Sequence, residues 1–289
     1  MKKIGIIAKN IPAAQKAVRK LAAWLEKRGK KVFIDSETAA ALNIQGYDRA
    51  KLPALVEMLI VLGGDGTLLS AARNVADAHT GVPIFGVNLG SLGFMAEVSL
   101  DELYSNLEKA IAGELEAEDR IMLSASVIRN GKRLARYRVL NDAVINKGAL
   151  ARMMELKVSV DNGLLTTLRA DGLIVATPTG STAYSLAAGG PIIHPTIPCF
   201  VVTPICPHTL SNRPIALPDD VVVTVCLTSQ SEEVTLTLDG QIGFPLAPLD
   251  IVEIKKSRFR MKMIKHPAKS YYEILRTKLK WGSGQKGKK

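Results

Sequence analysis

The sequence has few of the residues that build metal centres and disulfide frameworks. It contains three cysteines and four histidines among 289 residues. Cys199, Cys206 and Cys226 are an odd set without CxxC spacing, and the histidines do not pair with them. This pattern argues against a disulfide scaffold and against a zinc site. We expect reduced thiols in the buried core of a cytoplasmic protein.

Long hydrophobic runs are also missing. No window approaches the roughly 18 uninterrupted apolar residues of a membrane-spanning helix, so we expect no membrane partner. The apolar residues 4–8 follow two lysines, but Lys9 ends this run too early for a signal peptide. With 47% hydrophobic and 22% charged residues, the chain is typical of a globular protein with one large domain or two ordinary ones.

Acidic residues are scarce at one end of the chain, although the net charge of the whole is +11. Residues 255–289 hold thirteen basic residues and one acid, Glu273, whereas residues 1–254 carry 25 bases and 26 acids. A single-stranded nucleic-acid groove would combine such bases with aromatic side chains. Phe259 is the only aromatic residue within 255–265. We therefore expect no nucleic-acid partner.

The first part of the chain alternates strand and helix patterns. Strands are predicted at residues 3–8, 31–34, 58–62 and 83–88, and helices at 13–28, after 67, and at 100–112. The unbroken apolar run 58–62 is expected of a strand buried on both faces of a parallel sheet. This alternation predicts an α/β domain with an open parallel sheet over residues 1–118.

The second part, residues 119–265, consists of short β-branched runs separated by turn signals. Hairpins are predicted for 124–129 with 133–144 around Asn130-Gly131, and for 156–160 with 164–169 around 161–163. Further strands are predicted at 221–227 and 234–238, and from Arg258 the bases alternate with apolar residues along another strand. We expect a mostly β, sandwich-like domain.

Residues 63–67, Gly-Gly-Asp-Gly-Thr, form the sharpest local motif because they follow a buried strand and open a helix. Open α/β sheets bind ligands at such places, and glycine backbone N–H groups can face an anion there. Asp65 would repel phosphates unless it binds Mg²⁺ or accepts a proton from a substrate hydroxyl. The alternative is a plain turn in which Asp65 caps the helix. The phosphate loop so defined comprises Gly63, Gly64, Gly66 and Thr67.

Neither of two common phosphate-binding patterns fits this loop. It lacks the Lys-Ser/Thr ending of a Walker A motif, and Leu69 occupies the place of the last glycine in GxGxxG.

Residues 171–185 form the second motif, in which a buried strand leads into a cluster of hydroxyl residues. These suit a ligand with sugar and phosphate groups, and Tyr184 is able to stack on a ring. The alternative is an ordinary helix start capped by Ser or Thr. Asn141 and Asp142 lie in a strand-like run, where alternation would turn only one side chain toward a site. Surface or structural positions are the simpler interpretation of Arg152, Arg169, Gln241, His194 and His208.

In combination, the motifs resemble those of the NAD kinases. Residues 63–67, 86–94, 141–142 and 177–190 occur in the order found in that family. The resemblance includes 207–210, 213–214 and 239–241, and it extends from the first strand to Trp281. The 63–67 motif alone is similar to loops of diacylglycerol and sphingoid kinases and of phosphofructokinases, whereas 177–190 is far more specific.

The resemblance implies transfer of a terminal phosphate from ATP or polyphosphate to the 2′-hydroxyl of the adenosine ribose of NAD. Mg²⁺ would be bound mainly through the nucleotide phosphates, and Asp65 would be the catalytic proton acceptor. Asp142 is one methylene shorter than the glutamate common in the family. The implied substrate-binding residues are Asp65, Gly66, Asn141, Asp142, Arg152, Arg169, Asp171, Thr182, Ala183, Tyr184, Ser185, Leu186, Ala187 and Gln241.

The family resemblance also implies an α/β domain followed by a β-rich domain. Residues 266–289 are then expected to pack back on the first domain and to end in a basic tail. Small-molecule nucleotides and a second or further copy of the chain, in a homodimer or homotetramer, are the implied partners. Two other classes stay open, namely a lipid or sugar kinase with the same loop and a non-catalytic nucleotide-binding protein.

Overall fold

The computed structural model describes residues 1–90, 93–148, 153–209, 211–230 and 233–281. The chain divides into two compact units. Unit 1 comprises Met1–Asp119 together with the end of the chain from Met261, and unit 2 comprises Arg120–Arg260.

Strands and helices alternate in the first 112 residues, and strands dominate after that. The strands are β1 (Lys3–Ala8), β2 (Lys31–Ile34), β3 (Met58–Leu62), β4 (Ile84–Asn88), β5 (Val98–Ser99), β6 (Ala117–Arg129), β7 (Lys132–Val139), β8 (Asp142–Lys147), β9 (Met154–Val160), β10 (Gly163–Ala170), β11 (Gly172–Ala176), β12 (Cys199–Ile205), β13 (Ile215–Pro218), β14 (Val223–Leu227), β15 (Val234–Leu238), β16 (Ile242–Leu246) and β17 (Ile251–Ile264). The α-helices are α1 (Pro12–Glu26), α2 (Ser36–Ala40), α3 (Asp65–Asp77), α4 (Leu103–Ala112), α5 (Tyr184–Ala187) and α6 (Tyr271–Leu279), with 3-10 turns at Leu52–Leu55 and Gly180–Thr182.

Unit 1 is built on a parallel sheet in the order β4–β3–β1–β2. All five residues of β3 are buried, as expected for a strand covered on both faces. The core joins these strands to apolar residues of α1 and α4, and it includes Ile264 from the end of β17. Met263 of β17 pairs in parallel with Ile84 of β4. The predicted open α/β sheet is therefore confirmed.

Local sequence signals set the ends of the helices in unit 1. Pro12 lies in the first turn of α1, where its missing N–H costs nothing, and Gly29 follows the helix with a φ of 70°. A capping box opens α6. The Ser270 side chain accepts from the Glu273 N–H, and the Glu273 carboxylate accepts from the Ser270 N–H.

Unit 2 consists almost entirely of antiparallel strands in two layers. One sheet has the order β13–β12–β11–β8–β15–β16. In the other layer, β10, β9, β14 and β17 follow one another, and β6 pairs with β7 as a hairpin. A single core cluster contains buried residues of both layers, from Leu123 on β6 to Phe200 on β12. The predicted sandwich-like, mostly β domain is confirmed.

The predicted hairpins form, with one difference. Asn130 and Gly131 have φ angles of 50° and 74°, which is the left-handed backbone that an Asn-Gly hairpin turn requires. Residues 133–144, however, are not one strand as we predicted, because β7 ends at Val139 and β8 begins at Asp142. The bend at residues 140–141 is imposed by a side chain far along the chain, Asp239, which binds their backbone N–H groups.

The cysteines only partly follow the expectation of buried thiols. Cys199 is buried and Cys226 is half-buried, but Cys206 is exposed, so the prediction is wrong for this residue. Cys206 lies just beyond the last residue of β12, where the chain leaves the sheet. None of the helices in the described ranges is long and apolar enough to cross a membrane.

We predict that Ile264→Ala lowers the free energy of unfolding by about 2–5 kcal/mol. Ile264 is 7% exposed and belongs to the same core cluster as Ile4 and Ile6 of β1, so the truncation leaves a cavity. Urea denaturation measures the loss. The control is Ile44→Ala, where the side chain is 48% exposed and a change within roughly 0.5 kcal/mol is expected. Equal losses in the two variants would show that the chain end does not complete this core.

Candidate active site

The predicted phosphate loop lies at the carboxyl end of β3 in unit 1. Gly64 is the N-cap of α3 and Asp65 is its first residue. The Asp65 carboxylate does not cap the helix. Instead, its Oδ2 accepts from the Phe94 N–H at 3.0 Å, and its Oδ1 accepts from the N–H groups of Met95 and Ala96 at 3.1 and 3.3 Å. The alternative interpretation of Asp65 as a helix cap is therefore wrong.

Two glycines leave the space that this arrangement needs. A Cβ at Gly93 would lie far inside van der Waals contact with the Asp65 carboxylate, and one at Gly63 would collide with the Thr67 side chain. The Gly63 N–H also donates to Val87 O at 2.9 Å, which ties the loop to β4. The loop is thus held by backbone contacts, and Gly66 is left exposed at the start of the helix.

Unit 2 contains a cavity of about 340 Å³ beside the second predicted motif. Several polar residues and a tyrosine line it, although most of the surface that they expose to the cavity is apolar. The lining residues are Asn141, Asp142, Val144, Asn146, Ala183, Tyr184, Thr237, Asp239 and Gly240. Tyr184 is exposed and presents its ring to this space.

Asp239 organises one wall of this cavity. It begins the Asp239-Gly240 turn after β15, and both residues have left-handed backbone, with φ angles of 51° and 64°. The Asp239 carboxylate accepts from the N–H groups of Leu140, Asn141 and Asp142 at 2.8 to 3.4 Å. The bend made by these contacts brings both Asn141 and Asp142 to the cavity. Our prediction that only one of the two would face a site is therefore wrong.

Asp142 is the most perturbed carboxyl group of the cavity. It is almost fully buried, and loss of solvent raises its pKa, with the nearby Asp239 carboxylate adding to the effect. The resulting pKa is about 7. At neutral pH the Asp142 carboxyl is therefore divided between a protonated form that donates a hydrogen bond and an ionised form that only accepts.

The 177–190 stretch packs closely against the same bend. The Thr177 hydroxyl donates to Leu140 O at 2.6 Å, and a Cβ at Gly180 would overlap the Asn141 carbonyl. Among the described residues, no group donates to the buried Oδ1 of Asn141. A buried acceptor without a partner at the wall of a cavity is suited to a ligand donor.

Most hydroxyls of this stretch have internal partners. The Ser181 hydroxyl donates to Pro178 O at 2.6 Å, the Thr182 hydroxyl donates to Thr179 O at 3.2 Å, and that of Ser185 pairs with Thr203 at 2.9 Å. Ser185 is fully buried, whereas Ala187 is exposed and Thr182 and Leu186 are half-buried. Their assigned contacts with a dinucleotide stay predictions.

The remaining predicted residues lie outside this cavity. Arg169 is exposed on β10, Gln241 is exposed beside the Asp239-Gly240 turn, and Asp171 pairs with Lys147 at 3.5 Å. Arg152 lies outside the described residues, as do Ser91 and Leu92 of the 86–94 motif, Leu210, and the predicted tail 282–289. The described residues contain no cluster of three or more potential His, Cys, Asp or Glu metal ligands.

Sequence reasoning missed three residues that shape the phosphate loop of unit 1 or the cavity of unit 2. These are Gly93, Gly180 and Asp239, each of which stood inside a motif that we recognised without giving the residue a role. An Asp-Gly pair between two β-branched runs does predict a tight turn. Nothing local predicts that the aspartate side chain of this turn binds a segment about 98 residues away in the sequence.

Comparisons with known proteins agree over both units. A family model described as the ATP-NAD kinase N-terminal domain matches residues 4–115, and one described as the ATP-NAD kinase C-terminal domain matches residues 140–266. The chain is similar to the NAD kinase of Syntrophotalea carbinolica, with 51% identity covering 98% of this chain and 99% of the relative. The NAD kinase of Geobacter sulfurreducens is 50% identical over the same shares.

Two solved structures share the fold. A yeast NADH kinase complexed with NADH has a TM-score of 0.89 at 24% identity, covering 100% of this chain and 89% of that one. An NAD kinase from Archaeoglobus fulgidus in complex with ATP has a TM-score of 0.77 at 24% identity, covering 95% and 99%. Both support the two-part fold class derived above.

We predict that Asp142→Asn stabilises the folded protein more at high pH than at low pH. A raised folded-state pKa means that the stability of the natural protein is fully present below the unfolded value near 4 and falls as pH rises to about 7. Asparagine does not titrate. The stability difference should therefore grow by on the order of 3 kcal/mol between pH 5 and pH 8. Urea denaturation across this range measures it, and a difference that does not change with pH would refute the assignment.

Proposed function

The chain belongs to the NAD kinase family, and on that premise we propose that it transfers the terminal phosphoryl group of ATP to NAD. The acceptor is the 2′-hydroxyl of the adenosine ribose, and the product is NADP. The observation that carries this conclusion is the match of both family models, over 4–115 and 140–266, together with 51% identity across 98% of the chain.

The cavity of unit 2 supports a role in holding the dinucleotide. Tyr184 offers an exposed ring for stacking on a base. Asn141 Oδ1 offers a buried acceptor, and Asp142 offers a carboxyl that either donates to or accepts from a ribose hydroxyl. A mostly apolar pocket with a few fixed polar groups is the usual form of a cofactor-sized site.

Asp65 is proposed as the proton acceptor of the reaction. As the 2′-oxygen forms its bond to the γ-phosphorus and the bond from phosphorus to the bridging oxygen breaks, the hydroxyl proton passes to the Asp65 carboxylate and ADP leaves. A carboxylate has about four lone-pair positions, and three N–H groups occupy three of them. The remaining position supports a single, directed hydrogen bond to a substrate hydroxyl.

Phosphate binding is proposed for the backbone of the 63–67 loop. The N–H groups at the start of α3 lie at the positive end of its dipole, and this end of a helix favours an anion. Phosphoryl transfer depends mainly on positioning and on charge neutralisation, which a rigid loop of glycines can supply without a side chain.

Mg²⁺ is proposed to enter with the nucleotide rather than to occupy a site built by the protein. Mg²⁺ is commonly held by substrate phosphates and only one or two carboxylates. Asp65 would contact the ion, directly or through water, only in place of the substrate hydroxyl, because both need the same remaining lone-pair position. When bound, the ion would neutralise phosphate charge. A cytoplasmic location and a homodimer or homotetramer stay predictions.

The assignment is tested by measuring NADP formation with NAD, Mg²⁺ and either ATP or polyphosphate. Diacylglycerol and fructose 6-phosphate serve as alternative acceptors, since lipid and sugar kinases share the loop. NADP formation with ATP supports the proposal and the polyphosphate arm identifies the donor range. Binding of NAD without any turnover would instead favour a non-catalytic nucleotide-binding protein.

We predict that Asp65→Asn lowers turnover by about 10²–10⁴-fold, because it removes the proton acceptor. The dissociation constant for NAD should change little. Steady-state kinetics and calorimetry measure the two quantities. The matched control is Asp77→Asn, which changes an exposed carboxylate in the last turn of the same helix and should leave turnover intact. Near-natural turnover of Asp65→Asn would eliminate the proposed role.

A further inference from the structure

Residues 94–97, which we call the support segment, carry two sets of contacts within unit 1. The first set is the three N–H groups that donate to Asp65. No strand or helix includes the support segment, since β5 begins at Val98. The N–H group of Gly93, the residue just before the segment, donates to Ala96 O at 3.3 Å. The conformation of the support segment therefore depends on contacts with other parts of the unit.

The second set of contacts comes from the end of the chain. Lys269 Nζ donates to the carbonyl oxygen of Glu97 at 3.0 Å, and the His266 N–H donates to the Glu97 carboxylate at 3.2 Å. Lys278 on α6 places its Nζ 5.6 Å from the centre of the Phe94 ring, within the range of a cation–π interaction. The segment that follows β17 thus contacts both ends of the support segment.

Lys269 is itself held in place. Its Nζ also donates to the Glu102 carboxylate at 2.7 Å, which in turn accepts from the N–H and the hydroxyl of Ser99. The hydrogen bond from Lys269, followed by those from Ser99, lowers the pKa of Glu102 to about 2. Glu102 is therefore ionised throughout the neutral pH range. The ammonium group joins a fixed carboxylate to the backbone of the support segment.

We propose that Lys269 is a positioning residue for phosphoryl transfer. By fixing the Glu97 carbonyl, it holds the neighbouring N–H groups that orient the Asp65 carboxylate. This inference rests on the proposed function, in which Asp65 accepts the substrate proton. Because three lone-pair positions of Asp65 are occupied, a shift of the support segment turns the remaining one away from the hydroxyl. Small errors of orientation at a reacting centre reduce rate without weakening substrate binding.

The test compares Lys269→Met with Lys269→Arg. Methionine keeps most of the apolar length and removes the donors, whereas arginine keeps a charged donor. We expect Lys269→Met to lower kcat by roughly 10-fold with KM for NAD and ATP within about twofold, and Lys269→Arg to recover most of the loss. Unchanged kcat in a folded Lys269→Met protein would overturn the proposal.

Lys265→Met is the matched control. Lys265 lies on the same part of the chain and its Nζ pairs with the carboxylates of Glu116 and Glu118 at 3.4 and 3.8 Å, not with the support segment. Loss of this lysine should leave kcat unchanged. If both methionine variants lose kcat equally, the lysines merely anchor the chain end and the inference fails.

The double variant with Asp65→Asn separates this inference from the proposed function. If Lys269 acts through Asp65, Lys269→Met should lower the residual kcat of Asp65→Asn by less than about twofold. A full further 10-fold loss would show that Lys269 acts elsewhere, while the role of Asp65 would stand. If Asp65→Asn alone keeps natural turnover, it is the proposed function that fails, and the inference with it.

If Lys269→Met does not fold, as circular dichroism would show, Lys278→Met decides instead. This change removes the cation beside Phe94 and leaves the buried residues of α6 in place. A two- to threefold loss of kcat at unchanged KM, about 0.5 kcal/mol or slightly more, is expected for one cation–π contact. Natural kcat in this variant would overturn the proposal.

Discussion

Two aspartate side chains, each accepting hydrogen bonds from three consecutive backbone N–H groups, fix the backbone at the phosphate loop of unit 1 and at the cavity of unit 2. Asp65 binds residues 94–96 in unit 1, and Asp239 binds residues 140–142 in unit 2. Residues 94–96 and 140–141 lie outside the strands, and Asp142 is the first residue of β8, so their N–H groups need acceptors other than a regular ladder. A glycine stands beside each arrangement, because a Cβ would collide with the Asp65 carboxylate at Gly93 and with the Asn141 backbone at Gly180. In each unit, the backbone at these places is thus defined by a carboxylate and by a missing side chain.

The cavity of unit 2 carries less negative charge at neutral pH than its two aspartates would suggest. The Asp239 carboxylate accepts hydrogen bonds from backbone N–H groups. Burial, together with the charge of Asp239, raises the pKa of Asp142 to about 7. Asn141 adds a neutral acceptor. A dinucleotide carries a negative pyrophosphate, and two fully ionised carboxylates beside it would repel it. In the proposed dinucleotide complex, a carboxyl that is half protonated near neutrality would avoid much of this repulsion and would still be able to bond to a ribose hydroxyl.

Local pattern predicted the elements of the fold well, and it failed where distant residues act. The buried run of β3, the Asn130-Gly131 hairpin and the position of the 63–67 loop all follow from sequence periodicity and turn chemistry, since neighbours along the chain produce them. Residues 133–144 look like one strand because their own composition is strand-like. The break at 140–141 comes from Asp239, and the orientation of Asp65 comes from residues about 30 positions later. Contacts between residues so far apart in the chain produce no pattern in the neighbouring sequence. The glycines within the motifs are the only sequence feature that reflects these contacts.

The excess positive charge of the chain end has a structural explanation in part. Basic side chains after residue 254 pair with acids elsewhere in their own unit, as Lys256 does with Asp219 at 2.6 Å and Lys265 does with Glu116. An exposed pair such as that of Lys265 with Glu116 adds about 0–1 kcal/mol, too little to account for a docked chain end. Burial of the apolar side chains Ile264, Ile274 and Leu275 contributes the larger share of the free energy that holds the chain end in place. The main effect of these charges is therefore to determine which acidic residue each basic side chain pairs with. Lys269 differs from the others because it also binds a backbone carbonyl, and so converts a charge pair into a constraint on the chain beside Asp65.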